Sequence, residues 1–216
     1  MRIRLIIVSH EKGIAVEQLF KIAYFAGMVL EVILRFPYDR QRRKIGKTDQ
    51  RVTAAEQAVV AGLSVGMLLL PLIYALTSWL RFADYPWSAG VNAGLGGLGL
   101  VFLAAAIWLF SRAHRDLGAS WSPSLEIGEK QQLITRGVYS AVRHPMYSSA
   151  LLWGVAQVLL LHNWIAGLAG LVAFLPLYLV RVPREERMML DHFGDEYRAY
   201  CALTGRILPR LRREGR

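Results

Sequence analysis

Two long runs without a charged residue dominate the sequence. Ala58–Leu80 spans 23 residues and Ala89–Phe110 spans 22 residues without Asp, Glu, Lys or Arg. A helix of about 20 apolar residues crosses the hydrocarbon core of a bilayer, which is roughly 30 Å thick. With 54% hydrophobic residues in a chain of 216, the composition is too apolar for an ordinary soluble domain. The sequence therefore predicts an integral membrane protein.

Three further apolar runs extend this pattern. Phe20–Phe36 is the weakest, since it carries one acidic and two basic residues, although the basic side chains lie near its ends and can reach the interface. Tyr147–Leu161 and Ile165–Val180 are separated by only three residues, and each reaches roughly 23 Å as a helix. They predict a helical hairpin that spans a thinned bilayer or turns back within it. The expected fold class is all-α, a polytopic membrane bundle of about five transmembrane helices.

Lysine and arginine are distributed unequally between the two sides of these spans. The segments 38–51, 111–145 and 181–216 carry six, five and nine of them, which places twenty on one side against four on the other. Loops rich in these residues stay cytoplasmic. We therefore expect the N-terminus outside and both the region after residue 110 and the C-terminus in the cytoplasm. The start of the chain has only a short apolar run, so insertion through the spans themselves is expected.

Other features argue against several alternative classes. Cys201 is the only cysteine, so no disulfide framework is expected. The histidines show no metal-ligand spacing, and no metal is expected. The net charge of +10 sits beside apolar runs, which favours membrane lipids over nucleic acid as the partner. Gly94-Leu-Gly-Gly-Leu-Gly99 lies inside a span, where close helix packing is expected instead of a dinucleotide loop.

The polar stretch before the fourth apolar run carries the clearest functional signal. It reads Leu133-Ile-Thr-Arg-Gly-Val-Tyr-Ser-Ala-Val-Arg-His-Pro-Met-Tyr147. Proline favours the first turn of a helix, so His144 is expected near the N-cap, with the first backbone N–H groups facing the cytoplasm. A helix start of this kind, with Arg143 beside it, predicts an anion site. A purely structural helix start with an arginine at the membrane surface is the alternative.

A second polar cluster, which contains Glu185 and Glu186, follows the hairpin. Because the turn at 162–164 folds the chain back, both clusters are expected at one cytoplasmic surface, where they form a cofactor pocket. Together they match a zwitterionic ligand with an aromatic ring. The matching groups are His144 and the helix-end N–H groups for a carboxylate, Glu185 or Glu186 for an ammonium, and Tyr139 and Tyr147 for the ring. S-adenosylmethionine has these parts, and a phosphate-bearing ligand is also compatible with them.

These motifs resemble those of a known group of membrane enzymes. Gly137-x-Tyr139, Arg143-His-Pro-x-Tyr147, Glu185-Glu186 and Phe193-Gly194-x-x-Tyr197 are similar, in this order, to motifs of the isoprenylcysteine carboxyl methyltransferase and phospholipid methyltransferase family. The likeness covers roughly residues 112–210, whereas residues 1–110 match only as generic spans. It suggests two regions, residues 1–110 with three transmembrane helices and residues 111–216 as the methyltransferase region.

The resemblance also implies specific ligand contacts. The expected contacts to S-adenosylmethionine are Gln131, Gln132, Leu133, Ile134, Tyr139, His144, Pro145, Met146, Tyr147 and Glu185. Arg181 falls where the family places a substrate-facing arginine, so Arg143 and Arg181 are the expected catalytic residues, and Arg206 is a further substrate-binding candidate. Gln131 and Val138 depart from the family pattern, in which many members have histidine near the first position and proline at the second.

The predicted activity is that of an S-adenosylmethionine-dependent, protein-S-isoprenylcysteine O-methyltransferase-like enzyme. Its acceptor would be the carboxylate of a prenylated cysteine or a similar lipid-linked acid, and the transfer would require neither a metal nor a covalent intermediate. The acceptor tail would come from the lipid between the third span and the hairpin. Alternatives are a phospholipid or other small lipophilic acceptor, an NADPH-dependent reductase of the sterol type, and a non-catalytic membrane protein.

Overall fold

The computed structural model describes residues 2–42, 47–50, 53–121, 126–128 and 132–210. Within these residues the α-helices are α1 (Arg2–Arg42), α2 (Ala54–Ser64), α3 (Leu70–Leu76), α4 (Ala89–Leu117), α5 (Pro145–Leu161) and α6 (Trp164–Leu203). A π-helical turn, Val65–Leu69, joins α2 to α3, and 3-10 turns lie at Arg81–Ala83, Gly118–Ser120 and Gly137–Ser140. The predicted all-α bundle is confirmed for the described residues.

A two-stranded antiparallel ribbon is the departure from this helical pattern. Strand β1 (Lys47–Gln50) follows α1 and pairs with strand β2 (Glu126–Gly128), which follows α4. This ribbon was not predictable from the sequence, because neither segment has the alternating apolar pattern of a half-buried strand. The ribbon joins two loops that the charge distribution places on the same side of the membrane.

Three of the described helical segments are long and apolar enough to cross a bilayer. By length and composition these are Ala54–Leu76, Ala89–Leu117 and Trp164–Leu203, and α5 is a shorter apolar helix. Helix α1 contains the predicted first span and has an apolar outer surface. Its exposed large side chains are Leu19, Ile22, Val29, Leu30, Val32, Ile33 and Phe36, as expected for a helix in contact with lipid tails. The integral membrane prediction is confirmed, while the number of five crossings stays a prediction.

Helix α4 packs against α1 and α5 at the centre of the bundle. Two glycines permit this close approach. A Cβ on Gly96 would lie 2.1 Å from the Phe20 ring, and a Cβ on Gly99 would lie 2.8 Å from Cγ of Leu160. The packing interpretation is therefore confirmed for Gly96 and Gly99, whereas a Cβ on Gly94 or Gly97 would meet no described atom within 4 Å. Helix α4 continues to Leu117, so the boundary that the sequence suggested after residue 110 lies inside a helix.

The turn between α5 and α6 is short and buried. His162 ends α5 in a left-handed conformation, with φ at 46°. Asn163 then caps α6, since its side-chain oxygen accepts from two N–H groups of the first turn at 3.1 and 2.9 Å. The Asn163 amide also donates to the Leu80 carbonyl at 2.7 Å and to Asp84 Oδ1 at 2.8 Å. The predicted helical hairpin is confirmed, and its turn lies against the loop that follows α3.

A buried polar network around Gln157 connects α1, α5, α6 and the π-helical turn. Gln157 is fully buried. Its Nε2 donates to the carbonyls of Gly66 at 2.9 Å and Ala166 at 2.6 Å, while the Tyr24 hydroxyl lies 3.0 Å from its Oε1. The same hydroxyl donates to the Met67 carbonyl at 2.5 Å. A π-turn displaces carbonyls from the α-helical ladder, which makes them available to these side chains and sets the register of the bundle.

Helix α6 extends far beyond its apolar half. It continues through Pro176 and Pro183, and its helical dihedrals break at Gly194, where φ is 54° and ψ is −123°. Glycine is the residue that adopts this conformation with least strain. The chain after α6 then returns to the start of α5, where the N–H groups of Arg143 and His144 donate to the carbonyls of residues 205 and 206 at 2.8 and 2.9 Å. The break at Gly194 thus helps the chain after α6 to return to the start of α5.

Candidate active site

A cavity of about 350 Å³ lies where α5 begins. Helices α1, α2, α4, α5 and α6 and the loop before α5 all contribute to its wall. The wall combines apolar side chains, among them Val60, Leu63, Ala150 and Leu177, with the ionisable side chains of Arg143, His144, Arg181 and Glu185. A volume of this size, with few polar groups among apolar ones, is typical of a small-molecule site.

The cavity brings together most of the residues that the sequence singled out. The predicted residues in its wall are Gln132, Leu133, Ile134, Tyr139, Arg143, His144, Pro145, Met146, Tyr147, Arg181 and Glu185. Gln131 lies outside the described residues. Arg206 is not part of the wall, and its Nη2 pairs with Glu186 Oε2 at 2.7 Å. The ligand contacts and the catalytic roles of all these residues stay predictions.

The start of α5 has the geometry expected from the His-Pro pair. His144 is the N-cap and is only 5% exposed. Pro145 occupies the first helical position, where the absence of an N–H costs no hydrogen bond. The N–H groups of Tyr147 and Ser148 both donate to the His144 carbonyl, at 3.0 and 3.1 Å. Met146 therefore carries the remaining first-turn N–H, so the helix start offers fewer donors to an anion than the sequence suggested.

The two adjacent glutamates of α6 have different surroundings, and Glu186 is an ion-pair centre. It accepts from Arg143 Nε and Nη2 at 3.2 and 3.1 Å, and its Oε1 lies 3.4 Å from His144 Nε2. Arg206 binds both of its oxygens. Arg143 also donates through Nη1 to two carbonyls at the end of α6, at 3.2 and 2.5 Å. Glu186 and Arg143 thus hold the start of α5 against the end of α6.

Glu185 lies in the cavity wall and has fewer partners. Its Oε2 accepts a hydrogen bond from the Tyr147 hydroxyl at 3.1 Å, and its Oε1 lies 4.0 Å from His144 Nδ1. The Glu185 side chain is 32% exposed, against 14% for Glu186. Because Glu186 is already engaged by two arginines, Glu185 is the carboxylate that remains for a cationic group of a ligand. The sequence alone left the choice between these two glutamates open.

Tyr139 is held in the wall by the loop that precedes α5. Its carbonyl accepts from the Tyr200 hydroxyl at 2.6 Å, and the neighbouring Val138 N–H donates to Asp116 Oδ2 at 2.9 Å. Gly137 starts this turn with φ at 62°. Burial raises the pKa of the Tyr139 phenol well above its usual value. Tyr139 is therefore a neutral side chain at physiological pH and retains its proton as a hydrogen-bond donor.

Gly137→Ala is expected to lower the free energy of unfolding by about 2 kcal/mol, because it adds both backbone strain and a clash. A Cβ at this position would lie 2.1 Å from Asp116 Oδ2, and φ is positive. Gly118→Ala is the matched control, since Gly118 has φ of 53° and a Cβ added there would meet no described atom within 4 Å. Thermal unfolding in detergent compares the two variants. Equal losses of unfolding free energy in Gly137→Ala and Gly118→Ala would contradict the steric explanation.

Arg181 pairs with a residue that the sequence analysis did not identify. Its Nη1 lies 3.5 Å from Oε1 of Glu56, in the first turn of α2. The two side chains are only 15% and 3% exposed, respectively. Thr53-x-x-Glu56 has the sequence pattern of a helix-capping box, and such a pattern is typical of a helix start and not of a functional site.

Several further wall residues were not predicted as ligand contacts, and the aromatic ones among them are Phe110, His114, Trp121, Tyr197 and Tyr200. His114 Nδ1 lies 2.9 Å from the Phe110 carbonyl, which can only accept, so Nδ1 carries the proton and Nε2 of the neutral ring is an acceptor. This Nε2 and the Tyr197 hydroxyl are buried without a hydrogen-bond partner among the described residues. Such atoms are uncommon in folded proteins, and polar groups of a bound ligand would satisfy them.

Comparisons with known proteins point to one family. A model of the isoprenylcysteine carboxyl methyltransferase family matches residues 97–191. Protein-S-isoprenylcysteine O-methyltransferase B of Arabidopsis thaliana is 29% identical over 146 residues, which cover 64% of this chain and 74% of that protein. The human protein-S-isoprenylcysteine O-methyltransferase is 27% identical over 134 residues, which cover 59% of this chain and 47% of that protein.

Similarity extends to solved structures. One of them is described as the eukaryotic intramembrane Ras methyltransferase ICMT, and it is 22% identical with a TM-score of 0.48. The match covers 72% of this chain and 50% of that chain. The present chain therefore spans about half the length of the solved relative.

Proposed function

We propose that this chain is a member of the isoprenylcysteine carboxyl methyltransferase family, whose model matches residues 97–191, and that it is an integral membrane methyltransferase with S-adenosylmethionine as methyl donor. The proposed acceptor is the carboxylate of a prenylated cysteine or a similar lipid-linked acid. The observation that carries this proposal is one cavity whose wall combines Glu185 for a cation, Arg181 for a carboxylate, and Val60 and Leu177 for an apolar tail.

The residues present fit the proposed methyl donor. Its ammonium group requires an anionic partner, and Glu185, held by Tyr147 at 3.1 Å, is that partner. Its purine ring requires an apolar or aromatic surface with hydrogen-bonding groups, and the wall offers Trp121 together with the unpaired acceptor Nε2 of His114. We propose that the backbone of Gln132, Leu133 and Ile134 and the side chains of Tyr139, His144, Pro145, Met146, Tyr147 and Glu185 hold the donor.

S-adenosylmethionine supplies a methyl group that the adjoining sulfonium makes electrophilic. The acceptor carboxylate would receive this methyl group, with S-adenosylhomocysteine as the other product, and this chain would need no general base because the carboxylate is already ionised. The protein aligns the two reactants and excludes water. We propose that Arg181 binds one carboxylate oxygen and leaves the other free to attack. Arg143, whose guanidinium binds Glu186 and the end of α6, keeps the start of α5 in place.

The lipid tail of the acceptor needs an apolar route to this cavity. The sequence suggested a route between the third span and the hairpin. In the structure, however, α4 packs along α5, and the apolar wall residues Val60, Leu63 and Leu177 come from α2 and α6. We therefore propose that the tail lies against these residues of α2 and α6, two helices that pack against each other. The end of the helical bundle that contains the cavity is proposed to be cytoplasmic, because the segments rich in lysine and arginine lie on that side.

The test is calorimetric titration of the purified protein in detergent with S-adenosylhomocysteine, with NADPH as a parallel ligand. We expect saturable binding of S-adenosylhomocysteine alone, followed by methyl transfer to N-acetyl-S-farnesylcysteine and none to its carboxamide. The carboxamide keeps the tail and removes the nucleophilic carboxylate. Binding of NADPH alone would favour a reductase and overturn this proposal. Absence of binding of both ligands would contradict an enzymatic role of either kind.

A further inference from the structure

We propose that Glu56 is a positioning residue of the acceptor site, and that it acts by orienting the guanidinium of Arg181. This inference deepens the proposed function and rests on it, since it assumes that Arg181 binds the acceptor carboxylate. Glu56 lies on α2, outside the region matched by the family model. The acceptor site would thus be completed by a helix of the N-terminal half of the chain.

The first observation is the burial of the Glu56 carboxylate. Glu56 is 2% exposed, and the ion pair from its Oε1 to Arg181 Nη1 is 3.5 Å long. Its Oε2 is buried with no hydrogen-bond partner among the described residues. A carboxylate removed from water is costly unless a positive charge compensates it. Arg181 supplies that charge, which explains how the carboxylate is tolerated at this position.

The second observation is that Glu56 does not complete the capping box that its sequence pattern indicates. Half of the box is present, since the Glu56 N–H donates to Thr53 Oγ1 at 3.3 Å. In a full box the carboxylate would return to the backbone N–H of Thr53. Here the described contact of the Glu56 carboxylate is with Arg181 on another helix. The described contact of the Glu56 carboxylate therefore joins α2 to α6 and does not cap the N-terminus of α2.

The third observation is that two contacts, one helical turn apart on α6, fasten the first turn of α2. Besides the pair between Arg181 and Glu56, Arg184 Nη1 donates to Thr53 Oγ1 at 2.5 Å. Residues three apart on a helix share a face, so α2 is held along one side of α6. Glu185, which is proposed to bind the methyl donor, follows directly. Arg181, proposed for the acceptor, and Glu185, proposed for the donor, therefore lie about one turn apart on the same helix.

The proposed role follows from the flexibility of arginine. An arginine side chain has many rotamers, and its planar fork recognises a carboxylate only in a narrow range of orientations. An ionic contact from Glu56 to Nη1 restricts the guanidinium before the acceptor arrives. Loss of that contact leaves the positive charge of Arg181 in place but weakens the restriction on its orientation. The consequence is weaker and less well-aligned acceptor binding, with the donor end of the cavity unaffected.

Glu56→Gln tests this role, because it keeps the shape of the side chain and removes its charge. We expect kcat/KM for N-acetyl-S-farnesylcysteine to fall by about tenfold, mainly through KM, a coupling of the size found between contacting residues. The affinity for S-adenosylhomocysteine should stay within about twofold. Glu56→Asp, which retains the carboxylate, should recover part of the loss.

A double-mutant cycle with Arg181→Lys separates positioning from general stability. If Glu56 acts through Arg181, the double variant Glu56→Gln/Arg181→Lys should be no less active than Arg181→Lys alone. Additive losses would overturn the proposal. Arg184→Ala is the matched control, since it removes the neighbouring contact to Thr53 and leaves the N-cap of α2 in place. It should leave the acceptor KM unchanged, and a rise equal to that of Glu56→Gln would also overturn the proposal.

The remaining outcomes are equally decisive. If Glu56→Gln loses S-adenosylhomocysteine binding, Glu56→Asp decides: retained binding with a raised acceptor KM supports the positioning role, and loss of both overturns it. Absence of S-adenosylhomocysteine binding by the unmodified protein would overturn the proposed function and this role with it. Normal binding and methyl transfer in the unmodified protein, combined with an unaffected Glu56→Gln variant, would overturn this role alone.

Discussion

Arg181→Ala is expected to lower kcat/KM for a prenylated cysteine acceptor by about 100-fold, the size of effect found when one charge-stabilising donor is removed from an active site. The guanidinium is largely shielded from water, at 15% exposure, so its contact with an acceptor carboxylate would be little screened. The affinity for S-adenosylhomocysteine should change little, since the proposed donor contacts lie at Glu185 and Tyr147. Methyl transfer assays and calorimetry measure the two quantities.

Arg184→Ala is the control for this substitution. Arg184 lies one turn further along α6, and its Nη1 donates to Thr53 Oγ1 outside the cavity wall. Its removal takes away an exposed contact, so both activity and affinity should stay within about twofold of the unmodified protein. A loss of donor affinity in Arg181→Ala as large as the loss of activity would mean that Arg181 belongs to the donor end of the cavity.

Glu185→Ala is expected to weaken S-adenosylhomocysteine binding by about 10- to 100-fold, as for the loss of one hydrogen bond to a charged group. The carboxylate is the partner proposed for the ammonium group, and Tyr147 at 3.1 Å holds it in place. The Glu185 side chain is 32% exposed, so its removal should change the melting temperature little. Calorimetric titration measures the affinity, and thermal unfolding without ligand measures the stability.

Glu196→Ala serves as the control, because Glu196 is an exposed glutamate on the same helix and is not part of the cavity wall. It should bind S-adenosylhomocysteine normally. If Glu185→Ala depressed only turnover and Arg181→Ala depressed only donor affinity, the two assigned roles would have to be exchanged. Unchanged affinity in Glu185→Ala would remove this residue from the donor site altogether.

Features that depend on neighbouring residues were predictable from the sequence. The uncharged runs become α2 to α4, and the three residues at 162–164 become the turn of a helical hairpin. His144 and Pro145 occupy the N-cap and the first position of α5. Each of these follows from local rules, because hydrophobic length sets the span and proline sets the helix start.

Features that depend on contacts between distant helices were not predictable in the same way. Nothing near Glu56 in the sequence indicates that its carboxylate pairs with Arg181. Glu185 and Glu186 are neighbours with the same chemistry, yet Glu186 is engaged by Arg143 and Arg206 and Glu185 is not. Successive residues on a helix point in directions about 100° apart, so the packing of α6 against α5 assigns them different partners.

The sequence by itself determined that this is a helical membrane protein and which polar segments flank its hairpin. These properties follow from the hydrophobic length of each run and from short-range backbone chemistry. Only the tertiary structure decided which side chains meet in the cavity, because the path of α6 past Gly194 and the approach of α2 bring distant residues together. Ion pairs and buried unpaired atoms such as His114 Nε2 arise from that packing, and no local pattern encodes them.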